Sequence, residues 1–397
     1  MFNLVFDRFV NSRPYPNLAP VIDVSQGYSQ LELEYPRIIP LRLFYYFEDH
    51  NYPHKTWSID DPFPMDSYYP VGLAWFDFEC DYFGLMSETV RELCRSGQLT
   101  VLFYYHEGDN PYYEKTRLDT LCDQHNLPTE CYRFVSGNTE ADAVPGFVYF
   151  PDHELFYWRC SKKLPVLAIH NGPRTRKFTA LSRRHQSWRA TVITWLKEHN
   201  ILDNSYWSYN TIGMDDNYYR DNPMKDNPIQ MEPFYPGLPE AVDAMLASAP
   251  HACDTLNDVE HNSHHLMVDK HYTDSYVNIV LETFFDAEQS NGAFITEKTF
   301  KPIRNGQPFI VFGCARTLAT LKKLGYKTFD EFIDNSYDAM LSNADRFKQL
   351  TVSVTKLNNQ DLHRMYQQAY QDLAHNRQLF LASKANRLSM LEQELHK

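Results

Sequence analysis

Residues 71–108 have the sequence VGLAWFDFECDYFGLMSETVRELCRSGQLTVLFYYHEG, in which two apolar runs flank a helical pattern. The run VGLAWFDF at 71–78 predicts a buried strand, and SETVRELCRSG at 87–97 predicts a helix that ends at its glycine. LTVLFYYHEG at 99–108 predicts the next strand. Strand, helix and strand at this spacing predict a parallel sheet that is covered on both faces.

The same alternation continues on the C-terminal side of this stretch. YYEKTRLDTLCDQHN at 112–126 predicts a second helix, and CYRFVSG and FVYFP predict two further short strands. Residues 1–70 are rich in Pro, Tyr and Asp and contain one extended run at 38–47. We therefore expect an N-terminal α/β domain over residues 1–162.

A second α/β pattern occupies residues 163–330. It contains an amphipathic helix from about 187 to 199, whereas residues 210–270 are rich in Asp, Asn, His and Pro and predict long loops. Residues 331–397, at the C-terminal end of the sequence, have a helical pattern throughout. The predicted strands are KFTALSRR, YVNIVLETFF and PFIVFG, and the predicted helices are TEKTFKPIRNG and ARTLATLKKLG.

Composition limits the classes of function. The chain has 397 residues, 43% of them hydrophobic, so two folded domains are the simplest expectation. A net charge of -13 weighs against general nucleic-acid binding. The sequence predicts neither a membrane span nor a secretory signal, and seven scattered cysteines without a C-x-x-C pair predict reduced thiols in the cytoplasm. The chain also lacks the G-x-x-x-x-G-K-[ST] and G-x-G-x-x-G motifs, which disfavours P-loop and nicotinamide enzymes.

A predicted helix start lies within FITEKTFKPIRNG, residues 294–306. Thr296 is placed to cap a helix whose first turn holds Glu297 and Lys298, and a helix N-terminus offers N–H groups and partial positive charge to an anion. Lys301 shares a face with Lys298 and adds a second cation. Glu297 can accept hydrogen bonds from a diol such as a ribose. A diol acceptor beside a diphosphate clamp suits a nucleotide sugar, and the plainer interpretation is a capped surface helix with solvated charges.

A second basic stretch, KFTALSRRHQSWR at 177–189, places arginines where a strand ends and a helix begins. Arg183 and Arg184 lie at the strand end, and Arg189 lies further along. The planar guanidinium group matches the geometry of phosphate. Alone, a solvated basic turn is the simpler interpretation, but with the helix start at Thr296 in the same domain the pattern favours a phosphate pocket.

These two stretches resemble the donor-binding domain of GT-B glycosyltransferases. The patterns K-F-x-x-L-x-R-R-x-x-x-x-R and F-I-T-E-K-T-F-K-P-I-x-x-G-Q-P-F-I-V-F-G are most similar to the α1,3-fucosyltransferase family and related bacterial and viral proteins, over roughly residues 175–330. The resemblance implies that Glu297 binds the ribose of a guanosine-diphosphate sugar, and that Lys298 with Arg183 or Arg184 binds its phosphates. The family commonly continues the T-E-K turn differently from T-F-K-P-I, so the nucleotide base and the sugar stay open.

A GT-B reaction also needs a base that deprotonates the acceptor hydroxyl. We expect this base at the carboxyl end of a strand in the N-terminal domain, where His106 and Glu107 follow a predicted strand and precede Asp109. Asp77 and Glu79 are the alternatives. Cationic side chains and helix dipoles stabilise the departing diphosphate, so no metal is required.

Three other features have weaker chemical interpretations. DFECD at 77–81 has alternating carboxylates that suit Mg²⁺ or Mn²⁺, but it lies far along the chain from the predicted phosphate clamp. A segment rich in His and Cys has one H-x₃-H spacing without a cysteine pair, so a loop lining the acceptor cleft is favoured over a zinc site. Glu282, at the end of the strand before the T-E-K turn, is either a donor-site residue or a loop cap. The members of the His- and Cys-rich segment are His251, Cys253, His261, His264, His265 and His271.

The sequence therefore predicts an α/β protein with two Rossmann-like domains facing a cleft, of GT-B type, followed by C-terminal helices. The predicted function is a metal-independent glycosyltransferase that takes a nucleotide sugar as donor and a hydroxyl, in a glycan, as acceptor. It needs no cofactor, and the family resemblance implies inversion. The alternatives are a non-catalytic viral or phage binding or structural protein with this fold, and a transferase that glycosylates a nucleic-acid base. The predicted donor-binding residues are Arg183, Arg184, Arg189, Glu282, Glu297, Lys298 and Lys301, and the predicted catalytic residues are His106 and Glu107.

Overall fold

The chain forms two compact α/β units. The computed structural model describes residues 1–6, 42–73, 79–214, 219–229, 235–253, 268–286 and 292–397. The first unit lies within Met1–Leu155 and includes Gly292 and Ser383–Lys397, and the second lies within Phe156–Glu288 and Ala293–Ala382. Each unit contains a parallel sheet with helices, so the prediction of two Rossmann-like α/β units is confirmed.

The strands and helices are numbered in chain order over the described residues. The strands are β1 (Phe2–Phe6), β2 (His54–Ser58), β3 (Ser67–Leu73), β4 (Thr100–Tyr105), β5 (Tyr132–Ser136), β6 (Phe147–Tyr149), β7 (Arg176–Arg184), β8 (Ser205–Ile212), β9 (Ser275–Leu281) and β10 (Phe309–Phe312). The helices are α1 (Arg42–His50), α2 (Glu88–Arg95), α3 (Pro111–Gln124), α4 (Asp152–Ser161), α5 (Ser187–Glu198), α6 (Leu238–Ala247), α7 (Asp269–Thr273), α8 (Glu297–Asn305), α9 (Thr317–Lys323), α10 (Asn343–Asn358), α11 (Leu362–Gln368), α12 (Tyr370–Leu381) and α13 (Ala385–Leu395). None of these helices has the length and apolarity that a bilayer crossing requires.

The sheet of the first unit has the order β2-β1-β3-β4-β5-β6, and each neighbouring pair is parallel. Along β4, Val101, Phe103 and Tyr105 belong to one buried cluster and Leu102 and Tyr104 to another. Successive side chains of a strand point to opposite faces, so both faces of this sheet are covered by apolar side chains. The strand order reverses between β1 and β3, because β2 lies on one side of β1 and the rest of the sheet on the other.

The sheet of the second unit has the order β10-β9-β7-β8 and is also parallel. After β7 the chain adds β8 on one side and then β9 on the other, so the strand order reverses between β7 and β9. Crevices at such reversals, beyond the carboxyl ends of the strands, are where open α/β sheets bind ligands. The topology therefore directs the search for a site to the residues that follow β7 and β9.

Two predictions for the first unit were wrong in detail. The run predicted to be extended at 38–47 is helical over its described part, because α1 begins at Arg42. Leu43, Tyr46 and Phe47 are buried at helical spacing on one face of α1, and this packing outweighs their strand propensity. The strand predicted at 71–78 begins earlier than expected, as β3 runs from Ser67 and is buried along its whole length.

Two predictions for the second unit also need correction. Residues 210–270 are not only loops: β8 reaches Ile212, and α6 begins after Gly237, with Pro239 in its first turn. Leu238, Val242 and Met245 bury one stripe of α6 at helical spacing. Helix α5 was expected to be amphipathic, yet its residues from Ser187 to Leu196 are all buried, including its threonines. A helix enclosed on all sides shows no polar stripe.

The helix ends follow the predicted capping chemistry. The Ser87 side chain accepts a hydrogen bond from the Val90 N–H at the start of α2, and Gly97 after this helix has a φ of 71°. Helix α8 starts at the Thr296 cap and ends at Gly306, whose φ of 63° is left-handed. These positions confirm the predicted helix limits at both places.

The C-terminal residues contribute to both units. Helices α10 to α12 belong to the second unit, while α13 belongs to the first. Within the first unit, the Glu154 carboxylate lies 2.8 Å from Lys384 Nζ and 3.1 Å from Arg387 Nε, and all three side chains are buried. This charge cluster attaches the end of the chain to α4.

Candidate functional site

The strand reversal in the second unit is bordered by the predicted donor-binding residues. Arg183 and Arg184 are exposed at the carboxyl end of β7. Glu282 and Thr283 directly follow β9, the neighbouring strand in the sheet. Because parallel strands present their carboxyl ends at one edge, the topology brings these two segments together from positions about one hundred residues apart in the sequence.

Glu282 organises this edge of the sheet. Its side chain is 1% exposed, and its carboxylate accepts hydrogen bonds from Thr296 N (3.1 Å), Thr296 Oγ1 (2.6 Å), Thr299 Oγ1 (2.5 Å) and Thr283 N (3.1 Å). These four bonds satisfy a carboxylate that burial would otherwise destabilise. Glu282 therefore positions the first turn of α8. Of its two sequence interpretations, a donor-site residue or a loop cap, these contacts correspond to the cap.

The N-terminus of α8 carries a glutamate and a lysine in contact. Thr296 Oγ1 accepts the Lys298 backbone N–H at 3.4 Å. Lys298 Nζ lies 3.2 Å from each of Thr283 Oγ1, Thr296 Oγ1 and Glu297 Oε1. Lys298 is half-buried and Glu297 is buried. An ammonium group and the partial positive charge of the helix end thus lie side by side, an arrangement that favours an anion.

The remaining cations of this turn are close enough to influence one another. Burial lowers the pKa of the half-buried Lys301, and the positive charges of Lys298 and Arg183 lower this pKa further, against the opposing charge of Glu297. The positive charges of Lys298 and Arg183 disfavour the protonated form of Lys301, and the negative charge of Glu297 favours it. The charges of Arg183, Lys298 and Glu297 therefore all act on Lys301, and of these three side chains Lys298 and Glu297 are in contact, at 3.2 Å.

Arg189 has a different role from a phosphate ligand. Its side chain is buried, and its Nε and Nη2 donate to the Glu282 carbonyl oxygen at 3.1 and 2.5 Å, while Nη1 donates to the Arg184 carbonyl at 3.2 Å. The guanidinium thereby joins the residue after β9 to the last residue of β7. Burial lowers the pKa of Arg189 to about 10, so the group stays charged at neutral pH. Its fork of donors holds the crevice edges in place.

In the first unit, His106 and Glu107 form a contacting pair at the end of β4. His106 Nε2 lies 3.3 Å from Glu107 Oε1, and His106 is 6% exposed. Burial lowers the pKa of His106 below its ordinary value, and the charge of Arg42 lowers it too, against the contact with Glu107. An ionised carboxylate accepts hydrogen bonds and cannot donate one. The neutral imidazole of His106 therefore carries its proton on Nε2, which contacts Glu107, and its lone pair on Nδ1. Nδ1 is buried, and no described residue hydrogen-bonds to it.

The neighbouring strand holds the loop that carries this pair. Gly137 N donates to the Glu107 carbonyl at 3.0 Å, and Asn138 Nδ2 donates to the carbonyls of Gly108 and Asp109, also at 3.0 Å. Asn138 is fully buried. Backbone contacts from a sheet end to a loop fix the direction of the loop side chains, as a preorganised acid–base site requires.

Two carboxyl groups near this loop have raised pKa values, and the sequence did not indicate one of them, Glu114. Asp109 accepts a hydrogen bond from Tyr105, and burial raises the pKa of Asp109. Glu114 on α3 is fully buried and has no hydrogen-bond partner among the described residues. Burial raises the pKa of Glu114 well above its ordinary value, and the charge of Asp109 raises it further. Glu114 lies four residues before the buried Leu118 on the helix, a spacing from which its burial could have been inferred.

Asp152 is a second residue that sequence reasoning did not find. Its carboxylate is buried, lies 2.7 Å from Arg42 Nη1, and accepts hydrogen bonds from Tyr46 (2.8 Å) and Tyr104 (2.5 Å). Burial opposes ionisation, but the Arg42 charge and the adjacent histidines prevail and hold the pKa of Asp152 below its ordinary value. The hydrogen-bonding partners of Asp152 lie on α1 and β4, whereas Asp152 itself begins α4, so no local pattern indicates the cluster.

The other sequence candidates do not join either site. Asp77 lies outside the described residues, Glu79 is exposed, and Asp81 is occupied by His125 Nε2 at 2.9 Å. His251 packs its ring against Trp207. Over the ranges that the structure describes, no three His, Cys, Asp or Glu side chains are grouped to hold a metal ion. Three further histidines, His261, His264 and His265, lie outside the described residues.

Comparisons with known proteins add no assignment. No protein-family model matches the chain, and no curated protein matches it either. The candidate sites therefore rest on the residues and geometry described above.

Proposed function

We propose that the protein is a glycosyltransferase of GT-B type that binds a nucleotide-sugar donor on its second unit. The observation that carries this proposal is the position of Lys298 Nζ, 3.2 Å from Glu297 Oε1 and from the hydroxyls of Thr283 and Thr296, at the N-terminus of α8. This turn follows the strand reversal between β7 and β9, where Arg183 is exposed at the end of β7. An ammonium group at a helix N-terminus and an adjacent carboxylate match the two chemical parts of a nucleoside diphosphate, its phosphates and its ribose diol.

Donor binding would exchange contacts that already exist in this turn. Lys298 Nζ is held at 3.2 Å by Glu297 and by two threonine hydroxyls, Thr283 and Thr296. A diphosphate would take over the ammonium, and the released Glu297 carboxylate would accept hydrogen bonds from the ribose diol. Cations placed at a departing diphosphate stabilise the charge that develops there, and loss of one such group typically costs about 10²–10³ in rate.

The transfer step requires a base, and the pair in the first unit supplies a candidate. In the proposed step the acceptor oxygen forms a bond to the anomeric carbon as the bond from that carbon to the diphosphate oxygen breaks. His106 takes the hydroxyl proton, and the contact between Nε2 and Glu107 orients the imidazole, which is the division of roles seen in base–orienter pairs. A single displacement of this kind inverts the anomeric carbon.

Ligand-dependent thermal stability tests the donor site. We expect one of GDP, UDP, CDP, ADP and dTDP to raise the midpoint temperature of unfolding. A ligand at 100 times its Kd stabilises the folded protein by about 2.7 kcal/mol. Substituting both turn residues, Glu297→Gln with Lys298→Ala, should remove the shift. Lys323→Ala, at an exposed lysine on α9, is the matched control and should retain it. No shift with any of the five nucleotides would overturn the donor assignment.

Turnover separates a transferase from a binding protein. With the stabilising nucleotide known, its sugar conjugates are screened for release of the nucleoside diphosphate with and without hydroxyl acceptors. Acceptor-dependent release that is lost in His106→Gln supports the proposal. Binding without release from any conjugate would favour the non-catalytic alternative.

A further inference from the structure

A cysteine and a histidine of the second unit contact each other away from the proposed donor site. Cys253 Sγ lies 3.4 Å from His271 Nε2. His271 belongs to α7, which precedes the amino end of β9, whereas the proposed donor site follows the carboxyl end of the same strand. Both residues belong to the segment rich in His and Cys, and the proposed transfer reaction uses neither.

Both partners are anchored to the sheet. The His271 carbonyl accepts hydrogen bonds from Thr179 Oγ1 on β7 (2.7 Å) and Ser275 Oγ on β9 (2.6 Å). Two residues before Cys253, His251 forms an antiparallel bridge with Tyr209 of β8, with both N–H···O distances at 2.8 Å. Thiol and imidazole are therefore held in register by backbone contacts on either side, so the pair is preorganised.

The exposures of the two side chains are unequal, as in a reactive thiol and its base. His271 is 4% exposed, and Cys253 is half-buried. Burial of the imidazole holds it in contact with the sulfur, and the partial exposure of Cys253 allows a small reagent to reach the sulfur. By contrast, burial raises the pKa of the Cys94 thiol to about 12, which makes that cysteine inert. Cys122, Cys131 and Cys314 are buried as well.

We propose that Cys253 and His271 form a nucleophilic thiol–imidazole pair and that Cys253 is a site of covalent modification by peroxides and soft electrophiles. His271 Nε2 takes the thiol proton, and the sulfur attacks a peroxide oxygen. The S–O bond forms, the O–O bond breaks, and the leaving hydroxide takes the proton from the imidazolium to become water. The sulfur is oxidised to a sulfenic acid and the peroxide is reduced. This site is independent of the proposed glycosyl transfer.

Charged and titratable neighbours surround the imidazole from three elements. The Tyr206 ring on β8 lies 4.9 Å from the His271 ring, and the Tyr206 hydroxyl donates to Asp274 at 2.8 Å. Lys270 Nζ and the Arg176 guanidinium lie over the same tyrosine ring, at 5.7 and 5.6 Å. A carboxylate and two cations therefore surround the Tyr206 ring, which itself lies beside the imidazole.

The pH dependence of alkylation tests the pair without any substitution. Native protein is treated briefly with iodoacetamide between pH 6.5 and 8.5, and labelling of each cysteine is followed by peptide mass spectrometry. An ordinary thiol, with a pKa near 8.5, should react about 50-fold faster at the upper pH. We expect the Cys253 rate to change by less than about threefold, because in the proposed pair the thiol proton resides on His271. A Cys253 rate that rises in parallel with that of half-buried Cys160 would overturn the proposal.

Substitution of the imidazole provides the second test. His271→Gln retains the backbone carbonyl contacts and should slow Cys253 labelling at pH 6.5 by at least about tenfold. His251→Gln changes a histidine of the same segment that contacts Ser248 instead, and it should leave the rate unchanged. Sulfenic acid trapped with dimedone after peroxide treatment should follow the same order. Undiminished labelling in a His271→Gln protein with native thermal midpoint would contradict the proposed pair.

Discussion

The Glu282 carboxylate accepts the hydroxyl groups of Thr296 at 2.6 Å and Thr299 at 2.5 Å, and so joins the end of β9 to the first turn of α8. Arg189 holds the carbonyl of the same glutamate. Glu282 is therefore the point at which both edges of the strand reversal are fixed. The direction of Lys298, and with it the geometry offered to an anion, depends on a residue that is itself fully buried.

Replacing Glu282 tests this dependence. Glu282→Gln keeps the size of the side chain, but its amide nitrogen cannot accept from a threonine hydroxyl or an N–H. We expect the free energy of unfolding to fall by about 1–3 kcal/mol, because one backbone N–H and one threonine hydroxyl lose their acceptor, whichever oxygen is replaced. We also expect the Kd for the stabilising nucleotide to rise about tenfold by calorimetry, as the turn loses its fixed direction.

Glu240→Gln is the control for that substitution, since Glu240 is exposed on α6 of the same unit. Glu240→Gln should alter neither the free energy of unfolding nor the Kd for the nucleotide. Nucleotide affinity that stays at the wild-type level in Glu282→Gln would show that the turn does not depend on this carboxylate.

The two arginines at the end of β7 are predicted to act through charge. Arg183→Ala with Arg184→Ala should raise the Kd for the nucleotide by about tenfold or more and reduce its dependence on salt, because the two cations proposed to bind its phosphates are removed. Arg176→Ala is the matched control: Arg176 begins the same strand and donates to Asn204, at the opposite edge of the sheet. Equal losses in the arginine pair and in the control would speak for a general charge effect rather than a phosphate site.

The His106–Glu107 pair makes a prediction about pH. Burial holds the pKa of His106 below its ordinary value, so the imidazole is neutral and able to accept a proton at pH 7. Below that pKa it is protonated and cannot act as a base. If His106 is the base, kcat should therefore fall with decreasing pH through an ionisation below about 6.5.

Variants of the pair refine that expectation. His106→Gln should lower kcat by about 10²–10⁴. Glu107→Gln removes a contact that raises the pKa of His106, so the acidic limb of the pH profile should move further down. An acidic limb above pH 7, or full turnover without the imidazole, would exclude His106 and direct attention to Asp109.

Much of the fold could be predicted from local sequence. Ser87, Gly97, Thr296 and Gly306 mark helix ends through chemistry that operates within one turn of the chain. The first described helix, Arg42–His50, could not, because its aromatic residues favour strands and become helical only through packing. Tertiary contacts decide such segments, and a single sequence does not display them.

The candidate site was predictable as a group of residues but not in its division of roles. Lys298 and Glu297 are adjacent in sequence, so their shared turn was visible. The sequence indicates Arg189 through its basic stretch at 177–189, and Glu282 through its position at the end of the strand before the T-E-K turn. Burial then forces each to satisfy its polar atoms against backbone and threonine groups, and so converts both from ligand candidates into supports. Asp152 escaped notice because its partners are far apart along the chain.

Glu114 provides a prediction about stability and pH. Its pKa is raised in the folded protein, so between about pH 4.3 and that raised value the folded state binds more protons than the unfolded state. Stability must then fall as pH increases through this range, by up to about 1.4 kcal/mol per pH unit. Glu114→Gln keeps the shape and cannot ionise, so it should unfold like the wild type at pH 4 and be the more stable protein at pH 7.

Urea unfolding of both proteins at several pH values measures this difference. Asp109, whose pKa is also raised, is present in both proteins, so the gap between the two curves measures Glu114 together with its coupling to Asp109. Glu130→Gln, at an exposed site in the same unit, should follow the wild type at every pH. A stability gap between Glu114→Gln and the wild type that does not widen with pH would mean that the Glu114 carboxyl is ionised in the folded protein, and hence that a cation reaches it within the first unit.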